Sequence, residues 1–194
     1  MFDTIERMQA DVPWGRVLDA GTGVRSLRWL RGLDTTGITA VTASGRLAAE
    51  LRDGVDLRPP DAVVVGNWAD PRLLHEERFD TVIADYVVGA IEIHAPYFQA
   101  RFLERLRTHV TGRLYLTGIA PHGRSVEPGA ARIAAILDLR DVAFVLLGAR
   151  PYREYPLHWV RHALHRAGFR VDQTEVTQVR ADEGWVRHQV DGCR

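Results

Sequence analysis

Apolar positions in this chain follow two alternating rhythms. Short, nearly uninterrupted apolar runs appear at residues 16–20 (RVLDA), 37–43 (GITAVTA), 61–67 (DAVVVGN), 80–84 (DTVIA) and 112–120 (GRLYLTGIA). Between them lie longer stretches in which apolar residues recur every three or four positions, as helices that bury one face require. Phe2, Ile5 and Met8 mark a short helix over 2–10. Leu27, Trp29 and Leu30 mark one over 24–33, and another follows Ser44, whose hydroxyl can accept from an orphan backbone N–H at the helix start. A further helix is predicted over 96–109. Continuously apolar strands separated by helix-length segments predict an α/β fold, a doubly wound, mostly parallel sheet covered on both faces.

Such sheets bind ligands at the carboxyl ends of their strands, near the switch in strand order. The segments to search are therefore 19–25, 42–45, 66–70, 85–94 and 120–123. The first contains Asp19, Gly21, Thr22 and Gly23 in the run RVLDAGTGVRSLR. Its two glycines allow a sharp turn and close approach of a ligand to the backbone, and the following helix offers free N–H groups. A lone G-x-G is a weak signal.

The surrounding order is more specific. VLDAGTG precedes a helix, ITAVTAS ends the second strand, VVVGNWADP the third, and ERFDTVIADYVVGAI carries the fourth. Over residues 12–119 this arrangement resembles class I S-adenosylmethionine-dependent methyltransferases, and the segment REYPLHWVRHALHRAGFRV is similar to that family's final helix and sixth strand. The resemblance implies S-adenosylmethionine as cofactor and a Rossmann-like fold. It also implies that Asp19, Gly21, Thr22 and Gly23 cradle the cofactor's amino-acid end. Asn67 and Trp68 would flank adenine, Trp68 by stacking, while Asp85 and Tyr86 would lie beside the sulfonium.

Two positions depart from the family pattern. Arg25 stands where a third glycine is frequent, and Thr42 replaces the acid that usually holds the ribose. A threonine cannot supply the charge-assisted bidentate pair. The functional expectation is methyl transfer to a small-molecule acceptor by direct displacement; the alternative is a catalytically weak, methyltransferase-like protein with a binding role. A nicotinamide-dependent dehydrogenase would want a third glycine where Ser26 stands, and an acid at Thr42.

Displacement at a sulfonium methyl gains much of its rate from alignment, with no need for a metal. A base helps when the acceptor carries a proton. Tyr86, His94 and His122 are the candidate catalytic residues, with Glu92 and Tyr97 nearby; histidine is best tuned for neutral pH. His158, His162 and His165 share one helical face but lack an acidic companion at useful spacing, so a polar face is expected and no metal.

Residues 123–156 exceed what a strand-to-helix connection needs. They carry Ile133, Ile136, Leu137, Val142, Val145 and Leu146, then Arg150, Tyr152, Arg153 and Tyr155. The segment reads as a helical insertion within a single domain spanning 1–194. It could act as a lid over an anionic or flat acceptor, as a plain connection, or as a homodimer surface. At the end, 171–180 (VDQTEVTQVR) reads as strand six, and 184–194 is too short and charged for a good seventh strand.

Composition narrows the partners. Arginine supplies all 25 basic residues against 25 acidic ones, so the formal net charge is zero and no nucleic-acid partner is expected. Lysine chemistry is excluded. One cysteine, Cys193, precludes an internal disulfide framework. With neither a secretion-type apolar stretch nor a membrane-length run, a cytoplasmic protein without membrane contact is the expectation.

Overall fold

The computed structural model describes residues 1–123, 126–177, 184 and 187. Helix α1 (Phe2–Gln9) precedes β1 (Arg16–Asp19), α2 (Val24–Arg31), β2 (Gly37–Thr42), α3 (Gly45–Gly54), β3 (Ala62–Val65) and β4 (Phe79–Ala84). Then come α4 (Val87–His94), α5 (Gln99–His109), β5 (Val110–Leu116), α6 (Pro128–Leu146) and α7 (Leu157–Arg166). The strands form one all-parallel sheet in the order β3-β2-β1-β4-β5. The order reverses between β1 and β4, the place where such sheets set their ligand crevice at the strand ends.

Side chains of successive strand residues point to opposite faces, so one strand feeds two cores. Val17, Ile38, Ala40 and Ile83 pack with Ile5, Leu27, Leu30, Ala48 and Leu51, beneath α1, α2 and α3. Leu18, Val41, Val82 and Ala84 pack with Val88, Ile91, Phe102, Leu103, Leu106 and Ala163, beneath α4, α5 and α7. Ser44 caps α3 as expected, accepting from the Leu47 N–H at 3.2 Å.

Three local expectations change. The segment 85–94 is largely helical: α4 is apolar on nearly all sides (VVGAIEIH), a composition that marks a buried helix and hides the periodicity. The apolar run ending in Val65 is an edge strand, with Val65 48% exposed. Residues 171–177 form no strand. Glu175 lies against α1, accepting from Arg7 at 2.8 Å. The remainder of the expected sixth strand, 178–180, lies outside the described residues, as does 184–194 apart from Gly184 and Arg187. Among the described residues β5 is therefore a sheet edge. Also among them, no helix is long and apolar enough to cross a membrane.

Candidate functional site

Asp19 ends β1 with its side chain wholly buried. One carboxylate oxygen accepts from the Ser26 hydroxyl at 2.7 Å, while Ser26 Oγ itself accepts from the Gly23 N–H at 3.0 Å. The serine thus links the strand end to the opening of α2, supplying the one half of a capping box that a glycine N-cap allows. The other oxygen, Oδ1, and the neighbouring Thr22 hydroxyl are both buried, and neither makes a well-formed hydrogen bond among the described residues. Burial pushes the Asp19 carboxyl up to about 6, helped by the neighbouring charge of Asp85 and opposed by the hydroxyls of Ser26 and Thr22.

The two glycines of the loop have different surroundings. A Cβ at Gly21 would stand 2.6 Å from Val87 Cγ2, so its bareness lets the β1 and β4 loops close on each other. A Cβ at Gly23 would meet nothing within 4 Å. Only Gly23 presents an open approach.

Across the crevice, Thr117 organises the end of β4. Its hydroxyl donates to Asp85 Oδ1 and accepts from the Tyr86 N–H at 3.2 Å. Tyr86 adopts a left-handed conformation (φ 52°) as it turns the chain into α4, a geometry that costs a non-glycine residue roughly 1 kcal/mol or more. Burial raises the Asp85 carboxyl, with Thr117 and the charge of Arg25 pulling it back. The Tyr86 phenol is also raised, by burial first and then by the charges of Asp85 and Glu154. Glu154, in the segment after α6, rises for the same leading reason. Titratable groups perturbed together at strand ends are a mark of functional sites.

The structure thus gathers Asp19, Gly21, Thr22, Gly23, Asp85 and Tyr86 at neighbouring strand ends, with Thr42 beside them at the end of β2, and engages Asn67, Trp68, His94 and His122 in other contacts. Trp68 is a core residue rather than a ring platform. It is 4% exposed, donates from Nε1 to the Ala20 carbonyl at 2.6 Å, and packs edge-on against Phe102 and His109. The Asn67 amide is already engaged, accepting from the Ala69 N–H and donating to the His94 carbonyl at 2.6 Å. Thr42 is buried, and its hydroxyl accepts from the Ser44 N–H at 3.1 Å while retaining its own proton for donation. His94 is exposed at the far end of α4, about 10 Å along the axis from its first residue. His122 pairs with Asp138 of α6 at 3.0 Å. Glu92 is held by Gln99, Tyr97 N–H and Arg150, which together keep its carboxyl below the usual range despite burial. His158, His162 and His165 are exposed, and no group of three metal-ligating side chains occurs among the described residues.

Sequence reasoning missed four participants. Ser26 stood out only for not being glycine, although its place three residues into α2 from Gly23 was a capping signal. Arg25, read as a departure, supplies positive charge near Asp85 and Tyr86. Thr117 and Glu154 carried no sequence signal, because their roles depend on contacts across the fold.

No protein-family model matches this chain, and no curated protein matches it. Solved structures do share its fold. The cyclopropane synthase MmaA2 from Mycobacterium tuberculosis superposes with a TM-score of 0.63 at 19% identity, covering 89% of this chain and 61% of the other. The mycolic acid cyclopropane synthase CmaA1, solved with SAH and CTAB, gives 0.62 at 18% identity, with coverages of 89% and 61%. The YcgJ protein from Bacillus subtilis gives 0.66 at 14% identity, with coverages of 96% and 76%. The chain spans less than two thirds of the length of either synthase. It has the Rossmann-like fold of class I methyltransferases.

Proposed function

We propose that this protein binds S-adenosylmethionine in the crevice between β1 and β4 and transfers its methyl group to a small-molecule acceptor. The observation that carries this reading is the buried Asp19 carboxyl beside the Thr22 hydroxyl, neither Oδ1 nor Oγ1 in a well-formed hydrogen bond, in the loop left bare at Gly23. Buried polar atoms without partners are expensive, and a ligand ammonium or carboxylate at this loop would supply them. The ligand seen in CmaA1 and in DhpI, SAH, is the demethylated form of such a cofactor.

The cofactor when bound would supply an electrophilic methyl on a cationic sulfur. Asp19, fixed by Ser26, would hold the ammonium of its amino-acid end, and the backbone at Gly23 would admit that end closely. Asp85, fixed by Thr117, and Tyr86, fixed by its left-handed turn, would place negative charge and an aromatic face beside the cationic sulfur. Alignment, rather than acid chemistry at His94 or His122, then provides the acceleration, since both histidines stand apart from this cluster. Helix α6 and the segment after it would cover the acceptor as a lid, within one domain.

A second reading has its own support. Thr42 offers the ribose a single hydrogen bond, and the Asn67 and Trp68 groups expected at adenine are used within the fold. These observations favour a binding protein of low cofactor affinity. Calorimetric titration with S-adenosylmethionine and its demethylated product separates the two: micromolar binding supports the enzyme, and no heat at millimolar ligand overturns it.

A further inference from the structure

The segment after α6 crosses α4 and is fastened there at several points. Arg150 donates to buried Glu92 at 2.9 Å, and the Arg153 N–H donates to the Gly89 carbonyl at 3.2 Å. The guanidiniums of Arg150 and Arg153 lie over the Tyr97 ring at 5.5 and 4.9 Å from its centroid, and Tyr155 stacks on Trp159 at 3.9 Å. Between these fastenings sits Glu154. Its carboxylate lies on the bare face of Gly89, where a Cβ would stand 2.7 Å from one oxygen and 2.8 Å from the other.

That location has chemical meaning. Gly89 lies in the first turn of α4, just after Asp85 and Tyr86, and the Glu154 charge reaches the Tyr86 phenol. The backbone of Ile119, just beyond β5, faces the same carboxylate. Glu154 is thus delivered beside the first turn of α4 and the chain just beyond β5. It is half-buried and held by its neighbours rather than by its own flexible stem.

We propose that Glu154 receives the acceptor's proton, and that the acceptor is therefore an amine or a hydroxyl compound. This rests on the methyl-transfer reading above. The nucleophilic nitrogen or oxygen forms a bond to the methyl carbon as the carbon–sulfur bond breaks, the sulfur keeps that electron pair and becomes a neutral thioether, and the proton passes to a Glu154 carboxylate oxygen. Burial holds this carboxyl above the ordinary glutamate range, which improves it as a base near neutral pH. The charged and titratable groups facing it are Tyr86 at the end of β4 and Arg140 from α6.

The test compares the full chain with Glu154→Gln and Glu154→Asp. Small phenols, alcohols, amines, carboxylic acids and thiols are offered with S-adenosylmethionine, and methylated product is read by mass. Transfer to phenols, alcohols or amines is expected. Glu154→Gln, which is isosteric, should keep its melting temperature and bind the demethylated cofactor within about threefold of the parent by calorimetry. Its kcat should fall on the order of 10²-fold with KM little changed, lose the acidic limb of its pH profile, and recover in part in Glu154→Asp. In carbon-13-labelled protein saturated with demethylated cofactor, the Glu154 carboxyl signal should shift when the best acceptor is added. Transfer confined to carboxylic acids or thiols, an unaltered kcat in Glu154→Gln, a rise in KM alone, or an unmoved carboxyl signal overturns the assignment of Glu154 while methyl transfer stands. Absence of cofactor binding by the parent overturns both.

Discussion

Ser26 and Asp19 are joined by a 2.7 Å hydrogen bond that ties the first strand to the first turn of the following helix. The same hydroxyl oxygen accepts from the Gly23 N–H, so one side chain fixes both the acid and the loop between them. Ser26→Ala leaves a buried carboxylate with neither oxygen satisfied by this bond. The expected outcome is a loss of about 1–3 kcal/mol in unfolding free energy by denaturant titration, together with weaker binding of demethylated cofactor.

The pH dependence of stability has a definite sign. Asp19 ionises near 6 in the folded chain and at the ordinary 3.8 when unfolded. Between those values the folded state holds the extra proton, so its contribution is favourable at low pH and is lost as pH rises through 6. The swing is about 3 kcal/mol. Asp19→Asn should flatten the pH dependence of unfolding between pH 4 and 6.5 relative to the parent. Binding of the cationic cofactor should strengthen in the parent as pH rises through 6 and show no such rise in the variant.

The two glycines of the loop separate folding from binding. Gly23→Val places its side chain in open space and alters only the helix cap, so stability should fall by about 1 kcal/mol or less while cofactor affinity falls at least tenfold. Gly21→Val drives its Cβ into Val87, and a drop of roughly 1–3 kcal/mol or more in stability should accompany any loss of binding. Equal stability of the two variants, measured by thermal melts, would refute this division.

In the proposed cofactor site, Thr42 at the end of β2 would face the ribose. An aspartate there can still accept from the Ser44 N–H and adds a charged acceptor for the ribose hydroxyls. Thr42→Asp should tighten demethylated cofactor by about tenfold in calorimetry, the size of one hydrogen bond to a charged group. Unchanged affinity would place the ribose elsewhere.

Local pattern was enough for most of the scaffold. Continuous apolar runs at Val17–Leu18, Ile38–Val41 and Val82–Ala84 declare strands buried on both faces, and Ser44 announces a helix start, because backbone geometry and desolvation act on neighbouring residues. The acid and glycines at the end of the first strand were legible on the same grounds. Helix α4 escaped because a helix buried on nearly all sides loses its polar stripe, while residues 171–177 (VDQTEVT), polar at five of seven positions, form no strand.

What the sequence by itself determined was the alternation of strands and helices and the strand ends where a ligand belongs. Only the tertiary structure decided which polar groups remain available there. Trp68 and Asn67 are consumed by contacts with Ala20 and His94, far away in sequence, while Glu154 reaches the first turn of α4 because Arg150 and Arg153 fasten its segment across that helix. Hydrogen-bond satisfaction and burial are properties of neighbours in space, and no linear pattern encodes them.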